Sequence, residues 1–301
     1  MIYGISPKWN DDIQQNLDTK SLWDFEYLNL AKIRNDYNVY GEGVNVYVLD
    51  TGIDATHNSF VNKSIKIKSF VDETISPPFD ENGHGTWCCG KIVGDDVGIA
   101  PKCNLTSIKV FDSNGAGTSA DLNKALTWIL KQPNPHIINM SLGSTEYDKI
   151  QDGICKKLIK KGCIITAAMG NDATNKPEYP AALKDIIAVA ALDANNKNAD
   201  FSNWGRNVAV AAPGVSCTST YILNQYRSLS GTSMATPIVS GILTLGWSYL
   251  LKKKLTNFQI RDILISALEK GANDLGDKGY DEHYGFGGIC GTTFMLNLKQ
   301  C

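Results

Sequence analysis

Six short apolar runs, separated by stretches with helical spacing, place the strongest constraint on the fold of this chain. The runs cover residues 44–49, 105–111, 137–140, 163–168, 186–191 and 208–211. Helical spacing of apolar residues covers 85–93, 119–130, 147–159, 233–250 and 256–268. Apolar runs without alternation are typical of strands buried on both faces, and strands that alternate with helices predict βαβ units. We therefore expect an α/β fold in which helices cover both faces of a mainly parallel central sheet.

Nothing in the sequence marks a second folded domain. Residues 1–40 are polar, carry scattered aromatic residues and show no clean periodicity, so we expect an N-terminal arm packed on the domain. The remaining residues, 41–301, contain no repeat, low-complexity block or Pro/Ser-rich linker. They are expected to form a single domain.

Charge and hydropathy argue against two classes of partner. The chain has 29 basic and 31 acidic residues, which leaves no positive excess to attract a nucleic-acid backbone. The longest apolar stretch, 237–251, is broken by residues such as Ser240 and Thr244 and is too short and too polar to span a bilayer. We therefore expect no nucleic acid and no membrane span.

Three glycine-rich segments each place a reactive side chain at a predicted strand end or helix start. They carry Asp50 within 48–52, His84 within 82–86 and Ser233 within 231–237. A serine hydroxyl needs a neighbouring base to act as a nucleophile, and a carboxylate commonly fixes the tautomer of that base. Each residue alone is more typical of a turn or a helix cap. The three together, in this order, predict a catalytic triad.

These segments resemble the motifs of the subtilisin-type serine peptidases, the subtilases, and the resemblance extends over about residues 20–295. It implies a subtilisin-like three-layer fold and a monomeric serine endopeptidase that acts on proteins or peptides without a cofactor. In that enzyme Ser233 would attack the peptide carbonyl, His84 would transfer the proton and Asp50 would orient the histidine. Asn171, at the end of 167–171, resembles the asparagine of the family's oxyanion hole.

Two further segments resemble the strands that line the peptide cleft of the family. They contain Gly115 and Gly117 on one side and Ser141, Leu142 and Gly143 on the other. A peptide bound between them would add a strand, and its main-chain hydrogen bonds would supply affinity. For the glycines alone a plain loop is the stronger interpretation, whereas the residues around them favour the cleft.

Glu178 and Asp172 are candidates for the first specificity pocket. Glu178 falls where many relatives of this type place a small residue at the pocket floor, and Asp172 directly follows Asn171. Two carboxylates there would favour Lys or Arg before the scissile bond. The alternative is that Glu178 points to solvent from a loop.

The cysteines and the residue at position 209 bear on thiol reactivity and on calcium binding. Cys88 lies one helical turn after His84, as in proteinase K-like and kexin-like subtilases, and predicts a buried inert thiol, with a reactive thiol as the alternative. Pairing of the other cysteines cannot be deduced from sequence. Ala209 stands where several relatives carry a calcium-binding aspartate, so we expect no dedicated metal site and at most weak calcium binding.

The location and the activity each leave an alternative open. No secretory signal is visible at the start of the sequence. The resemblance favours a secreted chain, with a propeptide or protein inhibitor as partner, and a cytoplasmic enzyme is the alternative. The alternative function is a catalytically silent scaffold that holds peptides in the cleft.

Overall fold

The computed structural model describes residues 2–4, 8–14, 16–17, 22–71, 79–176 and 178–301. The strands are β1 (Ile2–Gly4), β2 (Lys8–Gln14), β3 (Asn45–Asp50), β4 (Lys66–Ser69), β5 (Asn104–Lys109), β6 (Ala116–Gly117), β7 (Ile137–Met140), β8 (Leu142–Gly143), β9 (Ile164–Ala168), β10 (Ile187–Leu192), β11 (Val208–Pro213), β12 (Cys217–Tyr221) and β13 (Gln225–Ser230). The helices are α1 (Trp23–Leu28), α2 (Leu30–Tyr37), α3 (His84–Val93), α4 (Ser119–Leu130), α5 (Lys149–Lys160), α6 (Thr232–Leu250), α7 (Asn257–Gly271) and α8 (Gly291–Lys299), with a 3-10 helix at Asn58–Phe60.

The central sheet has seven strands in the order β11-β10-β9-β7-β3-β5-β4. Every neighbouring pair is parallel. From β3 the chain first winds outward to β4 and β5, and then returns past β3 to build β7 and the other half of the sheet. In sheets of this kind ligands commonly bind in a crevice beyond the carboxyl ends of the strands, at the point where the winding reverses.

Side chains of the sheet enter two separate apolar cores. Val46 and Val48 of β3 pack in the core beneath α3 and α6, whereas Tyr47 and Leu49 pack in the core beneath α4 and α5. Alternate residues therefore serve opposite faces, which explains why the strands are apolar throughout. The predicted three-layer α/β fold with a mainly parallel sheet is confirmed.

Helix starts follow ordinary capping chemistry on the outer helices. The Thr118 hydroxyl accepts a hydrogen bond from the Asp121 N–H at the start of α4, and the Asp148 carboxylate accepts from the Ile150 and Gln151 N–H groups at the start of α5. These side chains satisfy amide groups that the first turn leaves without partners. The predicted start of the second of these helices at residue 147 is therefore two residues early.

Two small antiparallel sheets lie outside the predicted set of strands. One has the order β6-β1-β8 and the other the order β12-β13-β2. Their strands are short or rich in polar residues, so the periodicity that marks the central sheet is absent from them. Both sheets take one strand from the first 14 residues.

The two helices of the N-terminal arm join the core beneath α3 and α6, through Leu28, Leu30 and Ile33. The arm also supplies a counterion to α3: Asp24 Oδ2 lies 2.8 Å from Lys91 Nζ, and both side chains are 0% exposed. The ammonium group lies 5.2 Å from the centre of the Phe25 ring. The division into an arm of residues 1–40 and a domain of residues 41–301 stays a prediction. Among the described residues, no helix has both the length and the apolar character needed to cross a bilayer.

Candidate active site

Asp50 and His84 meet at the carboxyl end of the central sheet. Asp50 is the last residue of β3 and His84 the first of α3, and the Nδ1 of His84 lies 2.7 Å from Asp50 Oδ1. The same carboxylate oxygen accepts the backbone N–H of Thr51 at 2.8 Å. Both side chains are buried. This contact fixes the ring so that Nε2 is the nitrogen available for proton transfer.

Asp80 holds the loop before His84 in place, although none of the sequence motifs predicts a role for it. Its Oδ1 accepts hydrogen bonds from the Thr51 hydroxyl and from the N–H groups of Asn82 and Gly83, at 2.8 to 3.0 Å. Its Oδ2 accepts from the N–H and the hydroxyl of Thr86, at 2.8 and 2.7 Å. This buried carboxylate therefore ties the end of β3 to the first turn of α3. A carboxylate four residues before a candidate catalytic histidine was the available signal.

Ser233 lies in the first turn of α6 and faces the same crevice. Its Oγ donates to the carbonyl of Ser141 at 3.2 Å, and the Ser141 hydroxyl donates to the carbonyl of Ser233 at 2.9 Å. The Cys88 sulfur lies 3.7 Å from that Ser233 carbonyl oxygen and 4.0 Å from His84 Nδ1. His84 Nε2 is buried and has no hydrogen-bond partner within the described part of the chain. The structure therefore brings Asp50, His84 and Ser233 into one cluster.

The side chain of Asn171 has a fixed orientation beside Ser233. Its Oδ1 accepts the N–H of Thr232 at 2.9 Å and the Thr232 hydroxyl at 3.0 Å. The same hydroxyl accepts the N–H of Gly170 at 3.1 Å. Because the amide oxygen is bound to the residue before Ser233, the amide NH₂ of Asn171 is the group turned away from Thr232. That is the donor an oxyanion hole would use.

The predicted cleft strands, β6 and β8, lie on either side of β1. Ile2 is opposite Gly117, Tyr3 is opposite both Ala116 and Gly143, and Gly4 is opposite Leu142. Gly115 adopts a φ of 73° in the turn before β6, a conformation that favours glycine. The backbone of both strands is thus paired with the start of the chain.

Glu178 is buried beside Gly143 and Gly170 and does not point to solvent. Its side chain is buried, and a Cβ added at Gly143 would fall 1.7 Å from Glu178 Oε2. A Cβ at Gly170 would fall 3.1 Å from Oε1. The two glycines therefore admit the carboxylate between β8 and the segment that carries Asn171, so the solvent-facing alternative is wrong. Asp172 is exposed and does not share this position.

The buried cluster shifts the pKa of two of its groups. Burial lowers the pKa of His84, the Asp50 carboxylate raises it, and the net pKa lies well above the ordinary value of 6.5. Burial raises the pKa of the Cys88 thiol to about 12. Cys88 is therefore a neutral thiol at pH 7 and a poor nucleophile.

All eight cysteines belong to the described residues, and all are free thiols. In the same part of the chain, the only group of three potential metal ligands is Asp50, His84 and Cys88. The hydrogen bond between Asp50 and His84 occupies the space between those two groups, and nitrogen and sulfur ligands do not suit calcium.

Known proteins with similar sequences show the family to which this chain belongs. Residues 41–287 match the model of the Subtilase family, and the chain therefore belongs to that family. A "Thermostable alkaline protease" of Halalkalibacterium halodurans is 38% identical over 246 residues, which cover 79% of this chain and 65% of that protein. The "Minor extracellular protease Epr" of Bacillus subtilis is 34% identical over 277 residues, 87% of this chain and 41% of that protein.

A further relative matches over more of its own length. The "Thermitase" of Thermoactinomyces vulgaris is 37% identical over 208 residues, 67% of this chain and 74% of that protein. The chain thus spans between two fifths and three quarters of these three relatives. The predicted family is confirmed.

Proposed function

We propose that this chain is a serine endopeptidase that hydrolyses peptide bonds in proteins or peptides. The observation that carries the proposal is the buried contact of 2.7 Å between His84 Nδ1 and Asp50 Oδ1, at the strand ends where α6 presents Ser233. A histidine fixed by a carboxylate beside a serine is the arrangement that activates a hydroxyl as a nucleophile. The names of the relatives, all proteases, agree with it.

The chemistry assigns one role to each group. Nε2 of His84 takes the proton of Ser233 as Oγ attacks the peptide carbonyl, and later gives it to the departing amine. Asp50 stabilises the imidazolium that forms between these steps. The amide NH₂ of Asn171 and the backbone N–H of Ser233 donate to the oxygen of the tetrahedral intermediate, where negative charge develops. The chain needs no cofactor for any of these steps.

Selection for Lys or Arg before the scissile bond is the finer part of the proposal. Glu178 is 3% exposed and lies against Gly143, on the strand that would bind the substrate backbone. A carboxylate beside that strand attracts a cationic side chain of the substrate and offers no such attraction to an apolar one. Asp172, exposed at the rim, would contribute less because exposed charges are screened.

A pair of variants tests this selectivity. The ratio of kcat/KM for peptide anilides ending in Arg and in Leu should fall about tenfold or more in Glu178→Gln, since charged hydrogen bonds contribute about 1.5–3 kcal/mol. Asp172→Asn is the matched control and should leave the ratio nearly unchanged. A wild-type preference for Leu that Glu178→Gln does not alter would refute the role of Glu178.

Secretion and an inhibitory protein partner belong to the same proposal. One relative is named as an extracellular protease, which supports a secreted location for this chain as well. A monomer that meets a propeptide or a protein inhibitor at its cleft is the state we propose. Recovery of the chain from culture medium tests secretion. Size-exclusion chromatography of the recovered chain tests whether it is a monomer.

The alternative function is a peptide-binding scaffold without catalysis. A fluorophosphonate probe distinguishes the two because it modifies only an activated serine. We expect labelling of the wild type and none of Ser233→Ala. Absence of labelling in folded wild-type protein would favour the scaffold.

A further inference from the structure

The loop that carries Asn171 has an irregular backbone. It follows β9 and runs from Met169 to Lys176 without a helix or a strand. Gly170 has a φ of 105° and Ala173 a φ of 52°, both positive values that are uncommon in regular structure. The backbone N–H and C=O groups of such a loop have no ladder to join, so they need hydrogen-bond partners from elsewhere in the chain.

Asn203 supplies such partners on both sides of its side-chain amide. Its Oδ1 accepts the N–H of Asp172 at 2.9 Å and the N–H of Thr174 at 3.2 Å. Its Nδ2 donates to the carbonyl of Met169 at 3.1 Å and to that of Lys176 at 3.4 Å. An asparagine amide offers acceptor and donors together, whereas a carboxylate of the same shape offers acceptors alone. The loop is therefore matched to an asparagine at this position.

Asn203 is itself fixed relative to the central sheet. It is buried, and its backbone N–H donates to the carbonyl of Gly170 at 2.9 Å. The hydroxyl of the preceding Ser202 accepts the N–H of Ala191 in β10 at 3.2 Å and donates to the Asn203 carbonyl at 3.1 Å. A Cβ at Gly170 would fall 2.1 Å from Asn203 Nδ2, so the loop and the amide are in close contact. The position of β10 is thereby passed on to the loop.

Thr232 holds the same loop from the side of α6. Its hydroxyl accepts the N–H of Gly170, and its N–H and hydroxyl donate to Oδ1 of Asn171. Thr232 therefore fixes the side chain of Asn171, whereas Asn203 fixes the backbone on both sides of that residue. Within the described part of the chain, Asn203 makes no hydrogen bond to the predicted triad, so any effect on catalysis passes through the loop.

We propose that Asn203 is a positioning residue for the oxyanion donor, because it holds the backbone around Asn171 where the amide NH₂ can meet the oxygen of the tetrahedral intermediate. The inference rests on the proposed peptidase function, since it takes Asn171 as that donor. A donor that acts as negative charge develops contributes to kcat and little to substrate affinity. Loosening the loop should therefore lower kcat and leave KM nearly unchanged.

The first test compares Asn203→Ala with Asn207→Ala in the full chain. Asn207 is the matched control, since its exposed side chain donates to the carbonyl of Ala182, outside this loop. For peptide anilides we expect kcat to fall about 10- to 100-fold in Asn203→Ala, as a small misplacement of a catalytic group can cost about a factor of 10². Asn203→Asp keeps the shape but turns a carboxylate oxygen towards two carbonyls, and should show the same fall. An unchanged kcat in either folded variant, or a loss confined to KM, would overturn the inference.

A double-variant cycle distinguishes positioning from a general loss of structure. If Asn203 acts through Asn171, Asn203→Ala should lower kcat no further once Asn171 is replaced by alanine. The same substitution should still lower the unfolding midpoint in both backgrounds. Losses of kcat that add would overturn the route through Asn171.

Hydrogen exchange separates this inference from the proposed function. In the Ser233→Ala background, the segment 170–176 should exchange about tenfold faster with Asn203→Ala, because its amides lose hydrogen-bond acceptors. Segments from α4 should exchange at an unchanged rate. Unchanged exchange of 170–176 would overturn the inference. If exchange rises there but the wild type neither hydrolyses peptides nor reacts with fluorophosphonate, the hydrogen-bonding role of Asn203 stands and the peptidase function fails.

Discussion

The buried ion pair between the N-terminal arm and the catalytic helix gives a prediction with a definite size. At the 2.8 Å that separates Asp24 Oδ2 from Lys91 Nζ, two unit charges attract by about 6 kcal/mol at an effective dielectric constant of about 20. Desolvation of both groups offsets much of this attraction. The pair therefore matters most when one partner is removed and the other charge stays buried, which typically lowers the free energy of unfolding by about 3–5 kcal/mol.

The variant Asp24→Asn keeps the shape of the side chain and removes its charge. We expect the free energy of unfolding in urea to fall by about 3 kcal/mol, the lower end of that range, because the amide oxygen can still accept a hydrogen bond from Lys91. The double variant Asp24→Leu/Lys91→Met removes both charges at similar volume and should recover most of the loss.

An exposed pair on the same arm supplies the control. Lys32 and Asp36 lie 2.7 Å apart on α2 with side chains 64% and 47% exposed, so Asp36→Asn should not change the unfolding midpoint measurably. A loss below about 1 kcal/mol for Asp24→Asn, or a double variant as unstable as the single one, would refute this account of Lys91.

Four further predictions concern the site itself. In Asp80→Asn the amide NH₂ can face the N–H of Thr86, so that two donors meet. We expect a loss of about 1–3 kcal/mol in the free energy of unfolding and a lower kcat. Full retention of kcat would contradict a positioning role for Asp80. The acid limb of kcat/KM should lie above pH 6.5, because protonated His84 is inactive and its pKa is raised. Asp50→Asn should move the acid limb of the residual activity to lower pH. A limb that does not move would exclude the Asp50 carboxylate as the cause of the raised pKa. Iodoacetamide at pH 7 should leave Cys88 unmodified by mass spectrometry and activity intact, whereas rapid alkylation would indicate a reactive thiol. Chelator should leave the thermal midpoint nearly unchanged, as Ala209 suggests, and a sharp fall would reveal a calcium site.

The central sheet and the catalytic cluster follow from the sequence because their signals are local and strong. Six apolar runs coincide with β3, β5, β7, β9, β10 and β11 to within two residues at each end. Asp50, His84 and Ser233 stand at the ends of these elements, where parallel strands bring distant segments together. Strand order and register then determine their proximity.

The remaining features depend on contacts that no short window of sequence contains. Lys91 in an otherwise apolar helix is typical of a residue that reaches solvent, and only the arm makes its burial tolerable. Residues 2–4 are too few to show a period, and their conformation comes from the two strands on either side. The position of Glu178 was predicted by resemblance, but its burial needs the space left by Gly143.

The Asp24–Lys91 pair also sets a lower limit on the piece of this chain that can function alone. The family match covers residues 41–287, whereas Asp24 lies before it and α8, which packs on α7 and α2, lies after it. A polypeptide trimmed to the match would lose both the carboxylate that pairs with Lys91 and the residues of α1 and α2 that pack in the core beneath α3 and α6. Boundaries for expression, domain grafting or circular permutation should therefore keep residues 22–37 attached.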